Sequence, residues 1–167
     1  AGPLSLLPES LESPLIVMNA DLLTKVNFDH LLNFHNRHKA AATMCVRTFD
    51  FQVPFGTVKL KEQRLLSIDE KPVQSFFINA GIYVLEPETL KRIPPNAFYD
   101  MPNLFEQLVE EGQECCAFPI REYWLDIARV NDYEKGMNDY KKEFESIGYN
   151  DKLELKLLHP ERENNDL

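Results

Sequence analysis

Pro14-Leu15-Ile16-Val17-Met18-Asn19-Ala20-Asp21 is the stretch on which the fold turns. From Leu15 to Asn19 the chain reads as a buried strand, and a carboxylate stands just past its end. In open α/β sheets, ligands gather at the carboxyl ends of the strands. Asp21 is therefore a candidate ligand residue. A hard divalent cation such as Mg²⁺ takes carboxylate oxygens together with substrate phosphate oxygens, and a strand end is a rigid support for one. The alternative is a turn or capping role, which aspartate also favours.

A second carboxylate, Asp126, lies inside the apolar run Tyr123-Trp-Leu-Asp-Ile127. The helix expected after it has a cap of its own in Asn131. A carboxylate between Leu125 and Ile127 is desolvated unless it is paired, metal-bound or bonded to backbone amides. Between the two aspartates lies Glu70-Lys71-Pro72. Lysine is a compact point charge suited to phosphate, and glutamate accepts hydrogen bonds from sugar hydroxyls. The alternative for this pair is a solvated surface loop. Gly56, within Pro54-Phe-Gly, permits either a turn or the close approach of a ligand to the main chain. Asn79 and Gly81 lie in an apolar strand, where a polar side chain needs a partner, substrate or backbone.

The totals narrow the function classes. The chain has 167 residues, 44% of them apolar, which is one domain or a large part of one. A net charge of −9 without a Lys/Arg block argues against nucleic acid or an anionic membrane as partner. A small phosphorylated ligand stays open, since it needs only one or two placed cations. No apolar run approaches the roughly 20 residues of a membrane span, and Ala1-Gly-Pro-Leu4 has no secretion-signal character. Cys45 and the adjacent Cys115-Cys116 fit neither a disulfide framework nor a zinc site, which reads as a reduced, cytoplasmic chain. The six glycines are too dispersed to build a phosphate loop. His30, His35 and His38 share one expected helix without a metal-site arrangement. No nucleophile has a base beside it.

Strands and helices alternate along the chain, which predicts an α/β fold. Strands are expected at Leu15–Asn19, Ala41–Thr48, Phe76–Leu85, Cys115–Pro119 and Tyr123–Ile127, with a β-meander from Gln52 to Asp69 turning near Glu62. A helix capped by Asn27 or Asp29 runs to about Lys39, with Phe28, Leu31, Leu32 and His35 on one face. A short helix runs from Pro87 to Ile93. Another is capped by Asp100, buries Leu104, Phe105, Leu108 and Val109, and ends at Gly112. The last is capped by Asn131 and has Tyr133, Met137, Tyr140 and Phe144 as its apolar face. Lys152–Leu158 alternates like an exposed strand, and Glu161–Leu167 reads as a frayed end.

In this order Asn19-Ala-Asp21, Pro54-Phe-Gly56, Glu70-Lys71-Pro72, Asn79-Ala-Gly-Ile-Tyr83 and Trp124-Leu-Asp-Ile127 resemble the sugar-phosphate nucleotidyltransferase family, closest to its mannose-1-phosphate guanylyltransferase-like branch. The resemblance covers about residues 1–145; 146–167 is set apart as a C-terminal extension. It implies a mixed, mostly parallel twisted sheet with helices on both faces, of Rossmann-like, nucleotide-diphospho-sugar-transferase type. It also implies transfer of a nucleoside monophosphate from a nucleoside triphosphate to a sugar 1-phosphate, giving a GDP-mannose-like product and pyrophosphate. By resemblance, Asp21 and Asp126 hold Mg²⁺ and Lys71 contacts the sugar 1-phosphate. Glu70 and Asn79 bond sugar hydroxyls, Gly56 and Gly81 offer backbone contacts, and Asn19 belongs to the substrate side. The family's Gly-x-Gly-Thr-Arg loop is not in this sequence. That implies the C-terminal portion only, with the N-terminal nucleotide-binding part missing, no activity from the chain alone, and an open sheet edge or the C-terminal strand available for a homo-oligomer. The alternatives are a nucleotide-sugar-dependent glycosyltransferase, or a non-catalytic sugar-phosphate-binding regulatory subunit.

Overall fold

The computed structural model of the chain describes residues 1–8 and 10–145. The expected strand at Lys152–Leu158 lies outside them, as does the rest of the 146–167 extension. The chain divides into two compact units. The first is Ala1–Ala20 with Thr24–Trp124; the second is Asp21–Leu23 with the described residues from Leu125 on.

The first unit is built on a four-stranded sheet. Its strands are β1 (Leu15–Met18), β3 (Ala42–Gln52), β6 (Val73–Leu85) and β7 (Cys115–Pro119), in the order β1-β6-β3-β7. β6 runs antiparallel to both β1 and β3, and only β3 and β7 pair in parallel. The sheet is mixed as expected but not mostly parallel. The cause is the hairpin of β4 (Thr57–Lys61) and β5 (Arg64–Asp69), which sends the chain back along β3 instead of over a helical crossover. That hairpin turns at Glu62, whose φ of 54° is left-handed. A short strand β2 (Leu22–Thr24), absent from the sequence expectation, pairs with β8 (Trp124–Asp126) in a two-stranded sheet.

Helices cover both faces of the main sheet. α2 (Met101–Glu110) buries Leu104, Phe105 and Leu108 against Ala42, Tyr83 and Leu85. Its start is fixed by a reciprocal box: Asp100 accepts from the Asn103 N–H, and the Asn103 side chain accepts from the Asp100 N–H. Gly112, with φ +70°, follows its end. Val109, expected inside, is exposed. α1 (Phe28–His38) is capped by Asn27, whose side chain accepts from the His30 N–H at 2.9 Å. Of its expected face, Leu31 and His35 are buried, while Phe28 at the first turn is exposed.

His35 ties α1 to the sheet. Its Nε2 lies 3.2 Å from a Glu86 carboxylate oxygen and its Nδ1 2.8 Å from the Thr43 hydroxyl. A carboxylate only accepts, so Nε2 carries the hydrogen; in the neutral ring Nδ1 then accepts from the Thr43 O–H. Thr43→Val leaves that buried nitrogen without a donor and is expected to lower stability by about 1–3 kcal/mol. Urea denaturation measures it, with Thr43→Ser as the variant that retains the bond. An unchanged midpoint in Thr43→Val would mean the hydroxyl contributes nothing.

The far ends of β3 and β6 and the β4–β5 hairpin are apolar yet open to solvent. Phe49 opposes Phe76 across the ladder, and both are exposed; so are Val58 and Ile68, paired across the hairpin. β1 is an edge strand of its sheet, with Ile16 and Met18 exposed.

In the second unit, α3 (Val130–Glu143) begins at Arg129 as N-cap, without a side-chain cap bond, and Asn131 lies inside the helix. The turn before it is made by Asp126, whose Oδ1 accepts the Ala128 N–H at 2.9 Å. The helix therefore starts two residues earlier than a cap at Asn131 requires. Gly136 lets α3 pack on β8 and the residue after it: a Cβ there would stand 3.5 Å from Leu125 Cδ2 and 3.1 Å from Ile127 Cγ2. Tyr133, Met137 and Tyr140 share a face as their spacing predicts, but that face is exposed and, with Leu22, Leu23 and Ile127, lines a small groove.

Candidate functional site

The residues singled out in the sequence fall into three clusters. The first joins the Pro54-Phe-Gly56 turn to Glu70-Lys71-Pro72. The Val53 N–H donates to the Pro72 carbonyl at 3.0 Å, and Thr57 opposes Asp69 across the hairpin. This closes the two loops on each other. A Cβ on Gly56 would stand 2.9 Å from Glu70 Oε2, so the carboxylate rests directly against that glycine. Lys71 is exposed and has φ +45°, a backbone conformation uncommon for a residue with a Cβ.

The second cluster is Asn19, Asn79 and Gly81. Asn79 Oδ1 accepts the Gly81 N–H at 2.9 Å, and Asn79 Nδ2 donates to the Tyr83 hydroxyl at 2.8 Å. Asn79 thus finds both backbone and side-chain partners inside the chain, and keeps a further N–H and lone pair for a ligand. Gly81 is buried with φ +70°, where a side chain is strained. Its carbonyl accepts the Asn19 N–H at 2.9 Å. Asn19 also lines a cleft of about 380 Å³ with Val17, Tyr83 and Asp100.

The third cluster lies in the second unit. The Ile127 N–H donates to the Asp21 carbonyl at 2.9 Å, which sets the chain at Asp21 beside the chain at Asp126 although 105 positions separate them (126 − 21). Both aspartates are partly exposed. Asp126 therefore escapes the desolvation expected from its apolar neighbours, helped by the Ala128 amide on its Oδ1. Among the described residues no group of three or more His, Cys, Asp or Glu is gathered to hold a metal ion. Two carboxylates are still the donor set that Mg²⁺ uses when substrate phosphate and water complete its shell. Lys71 belongs to the first unit and the aspartates to the second.

Three supporting residues carried no sequence signal strong enough to single them out. Trp124, the chain's single tryptophan, donates its indole N–H to the Ala80 carbonyl at 2.9 Å. Arg47 donates to the Glu122 carbonyl at 2.9 Å and lies 5.9 Å from the Trp124 ring. Tyr83 enters the sequence reading only as the end of the Asn79-Ala-Gly-Ile-Tyr83 motif, and its bond with Asn79 shows in the structure. The cysteines are free. Burial, with the Glu122 charge as a smaller cause, pushes the Cys45 thiol up to about 12, so it is inert at neutral pH. No described helix is long and apolar enough to cross a membrane.

The family model described as nucleotidyl transferase matches residues 5–143. The chain belongs to that family. This match corrects the expectation of a C-terminal portion with its nucleotide-binding part missing: the family domain covers nearly the whole chain, starting at residue 5. Among curated relatives, mannose-1-phosphate guanyltransferase of Emericella nidulans is 34% identical over 144 residues, 81% of this chain and 39% of its own length. The mannose-1-phosphate guanylyltransferase catalytic subunit beta of Dictyostelium discoideum is 31% identical, over 87% of this chain and 42% of its own. The chain thus spans about 40% of the length of these nucleotidyl transferases. HddC from Yersinia pseudotuberculosis shares the fold, with a TM-score of 0.59 at 20% identity over 83% of this chain and 61% of that one.

Proposed function

We propose that the protein transfers a nucleoside monophosphate from a nucleoside triphosphate to a sugar 1-phosphate, with mannose 1-phosphate and GTP as the pair to test first. The observation that carries this reading is the bond from the Ile127 N–H to the Asp21 carbonyl, which sets the turn at Asp21 beside the end of β8 at Asp126. Family membership and the names of the curated relatives support the substrate class.

The chemistry is an in-line displacement. An oxygen of the sugar 1-phosphate bonds to the α-phosphorus, and the bond from that phosphorus to the bridging oxygen breaks. Pyrophosphate leaves with the electron pair. No proton has to be removed from a phosphate dianion, so the step requires no general base. Mg²⁺, held by Asp21 and Asp126 with phosphate oxygens, would neutralise the charge that builds on the transferring group. The ammonium of Lys71 attracts and orients the sugar 1-phosphate. Glu70 and the free valences of Asn79 accept and donate hydrogen bonds to sugar hydroxyls. Gly56 leaves room for the Glu70 carboxylate, and Gly81 turns the backbone beside Asn19.

The test is pyrophosphate release by the chain from GTP and mannose 1-phosphate with Mg²⁺, beside other sugar 1-phosphates and nucleoside triphosphates. Release that requires both substrates supports the reading. No release from any pair, or release indifferent to Asp21→Asn, overturns it. A subtler outcome is expected of Gly56→Ala. The new methyl displaces the Glu70 carboxylate, and KM for the sugar 1-phosphate rises about tenfold, the worth of one hydrogen bond to a charged group. Folding stability stays within about 0.5 kcal/mol, as for other surface changes. Steady-state kinetics and urea denaturation read the two; an unchanged KM would remove Glu70 from the sugar site.

A further inference from the structure

β6 leaves its ladder once. Met44 opposes Tyr83 and Val46 opposes Asn79, so Ala80, Gly81 and Ile82 face the single residue Cys45 of β3. Bulges interrupt pairing, bend the strand and re-aim backbone groups. Here two consecutive carbonyls serve other parts of the chain. That of Ala80 accepts the Trp124 indole N–H at 2.9 Å. That of Gly81 accepts the Asn19 N–H at 2.9 Å. Trp124 stands two residues before Asp126, and Asn19 two residues before Asp21. One bulge therefore holds Asn19 and Trp124, each two residues ahead of an aspartate in the sequence.

The bulge is itself held by a side chain. Gly81 has φ +70°, and its N–H donates to Asn79 Oδ1 at 2.9 Å. That bond fixes which end of the Asn79 amide faces the backbone and directs Nδ2 to the Tyr83 hydroxyl, 2.8 Å away. Tyr83 is 4% exposed, with its ring 5.8 Å from that of Phe105 on α2. The hydroxyl is thus anchored by the core.

We infer that Tyr83 is a positioning residue for the metal-binding aspartates: through Asn79 it fixes the bulge whose two carbonyls hold the segments leading to Asp21 and Asp126. The inference rests on reading those aspartates as the Mg²⁺ ligands. Outer partners that orient metal ligands commonly alter affinity by about 10–100-fold when removed. Tyr83→Phe keeps the ring and deletes only the anchor of Asn79.

Two measurements test it on the whole chain. In the metal-free protein, hydrogen exchange at the Trp124 indole and the Asn19 amide is followed by NMR. In the second, Mn²⁺ alone is titrated and its binding read from water-proton relaxation. Tyr83→Phe and Asn79→Leu are each expected to speed exchange at both sites by about tenfold and to weaken Mn²⁺ binding by about the same factor. Thr43→Val, which disturbs the buried His35 pair on the other face of the sheet, serves as the control for general loss of stability and is expected to leave Mn²⁺ affinity unchanged. The inference is overturned if Tyr83→Phe leaves exchange at both sites as in the unaltered chain, if exchange quickens while Mn²⁺ affinity holds, or if Thr43→Val weakens Mn²⁺ as much as Tyr83→Phe does. Failure of the underlying site reading looks different: the unaltered chain binds no Mn²⁺, or Asp21→Asn binds it equally well. Either result removes the metal role assigned to Tyr83 as well, even where exchange still reports a working bulge.

Discussion

Asp126→Asn is expected to lower Mg²⁺-dependent pyrophosphate release by about a thousandfold, mostly in kcat. The substitution is nearly isosteric. Asparagine Oδ1 still accepts the Ala128 N–H that now bonds Asp126 at 2.9 Å, so the turn into α3 survives. What would be lost, on the proposed reading, is one of two anionic ligands to the ion. Stabilisation of the transferring phosphoryl by a metal amounts to several kcal/mol, and about 4 kcal/mol corresponds to three powers of ten in rate. Because the ion is expected to act on the reacting phosphate more strongly in the transition state than in the bound substrate, the loss belongs in kcat more than in KM. Stopped-time pyrophosphate assays over a Mg²⁺ series check this. A variant with near-normal kcat at saturating Mg²⁺ would show that Asp126 only shapes the turn.

Lys71→Ala is the second large effect. Its ammonium is the cation assigned to the sugar 1-phosphate, and its backbone is held at φ +45° between Glu70 and Pro72. Left-handed residues other than glycine are costly and tend to persist where surrounding structure holds them. Here the Val53 N–H on the Pro72 carbonyl and the Gln52 side chain on the Lys71 carbonyl do the holding. The expected result is a fall of about a hundredfold in kcat/KM for the sugar 1-phosphate, from the loss of a charge-assisted bond of about 3 kcal/mol. KM for the nucleoside triphosphate changes little. Lys71→Arg is expected to recover only part of the loss, because a planar fork does not replace a compact charge. If Lys71→Ala affected both substrates alike, its charge would act on the nucleotide or on the whole field of the site, not on the sugar phosphate.

How far the residues themselves foretold this arrangement varies with the kind of signal. Asn27, Asp100 and Gly112 mark helix ends by local chemistry, and the structure uses all three. β4, β5 and the turn at Glu62 follow from alternation and a polar break, again local. Parallel or antiparallel pairing is not local. The direction of β6 against β1 and β3 depends on a hairpin that returns the chain, and nothing in the composition of Val73–Leu85 encodes it. Asn131 was a reasonable cap by residue type, yet Asp126 takes the turn first and the helix starts at Arg129 as N-cap. The spacing of Tyr133, Met137 and Tyr140 fixes that they share a face, not that the face is covered. Of the candidate site, Asp21, Asn79 and Asp126 stand out as polar residues against apolar neighbours, whereas Gly56, Glu70 and Lys71 read equally as a turn and a solvated loop and are singled out by the family resemblance. Trp124 was not legible, since its indole N–H reaches a carbonyl 44 positions away; Tyr83 reaches back only four residues to Asn79, but across a ladder irregularity that alternation does not reveal.

Mn²⁺ titration of the unaltered chain, Asp21→Asn and Asp126→Asn, followed by electron paramagnetic resonance, tests the pairing of the two carboxylates most directly. The expected result is one ion bound by the unaltered chain and a loss of at least about tenfold in affinity in each single variant, with the double variant little worse than either, since two ligands of one ion act as a unit. Undiminished binding in either single variant, or losses that simply add in the double variant, would show that Asp21 and Asp126 do not share an ion.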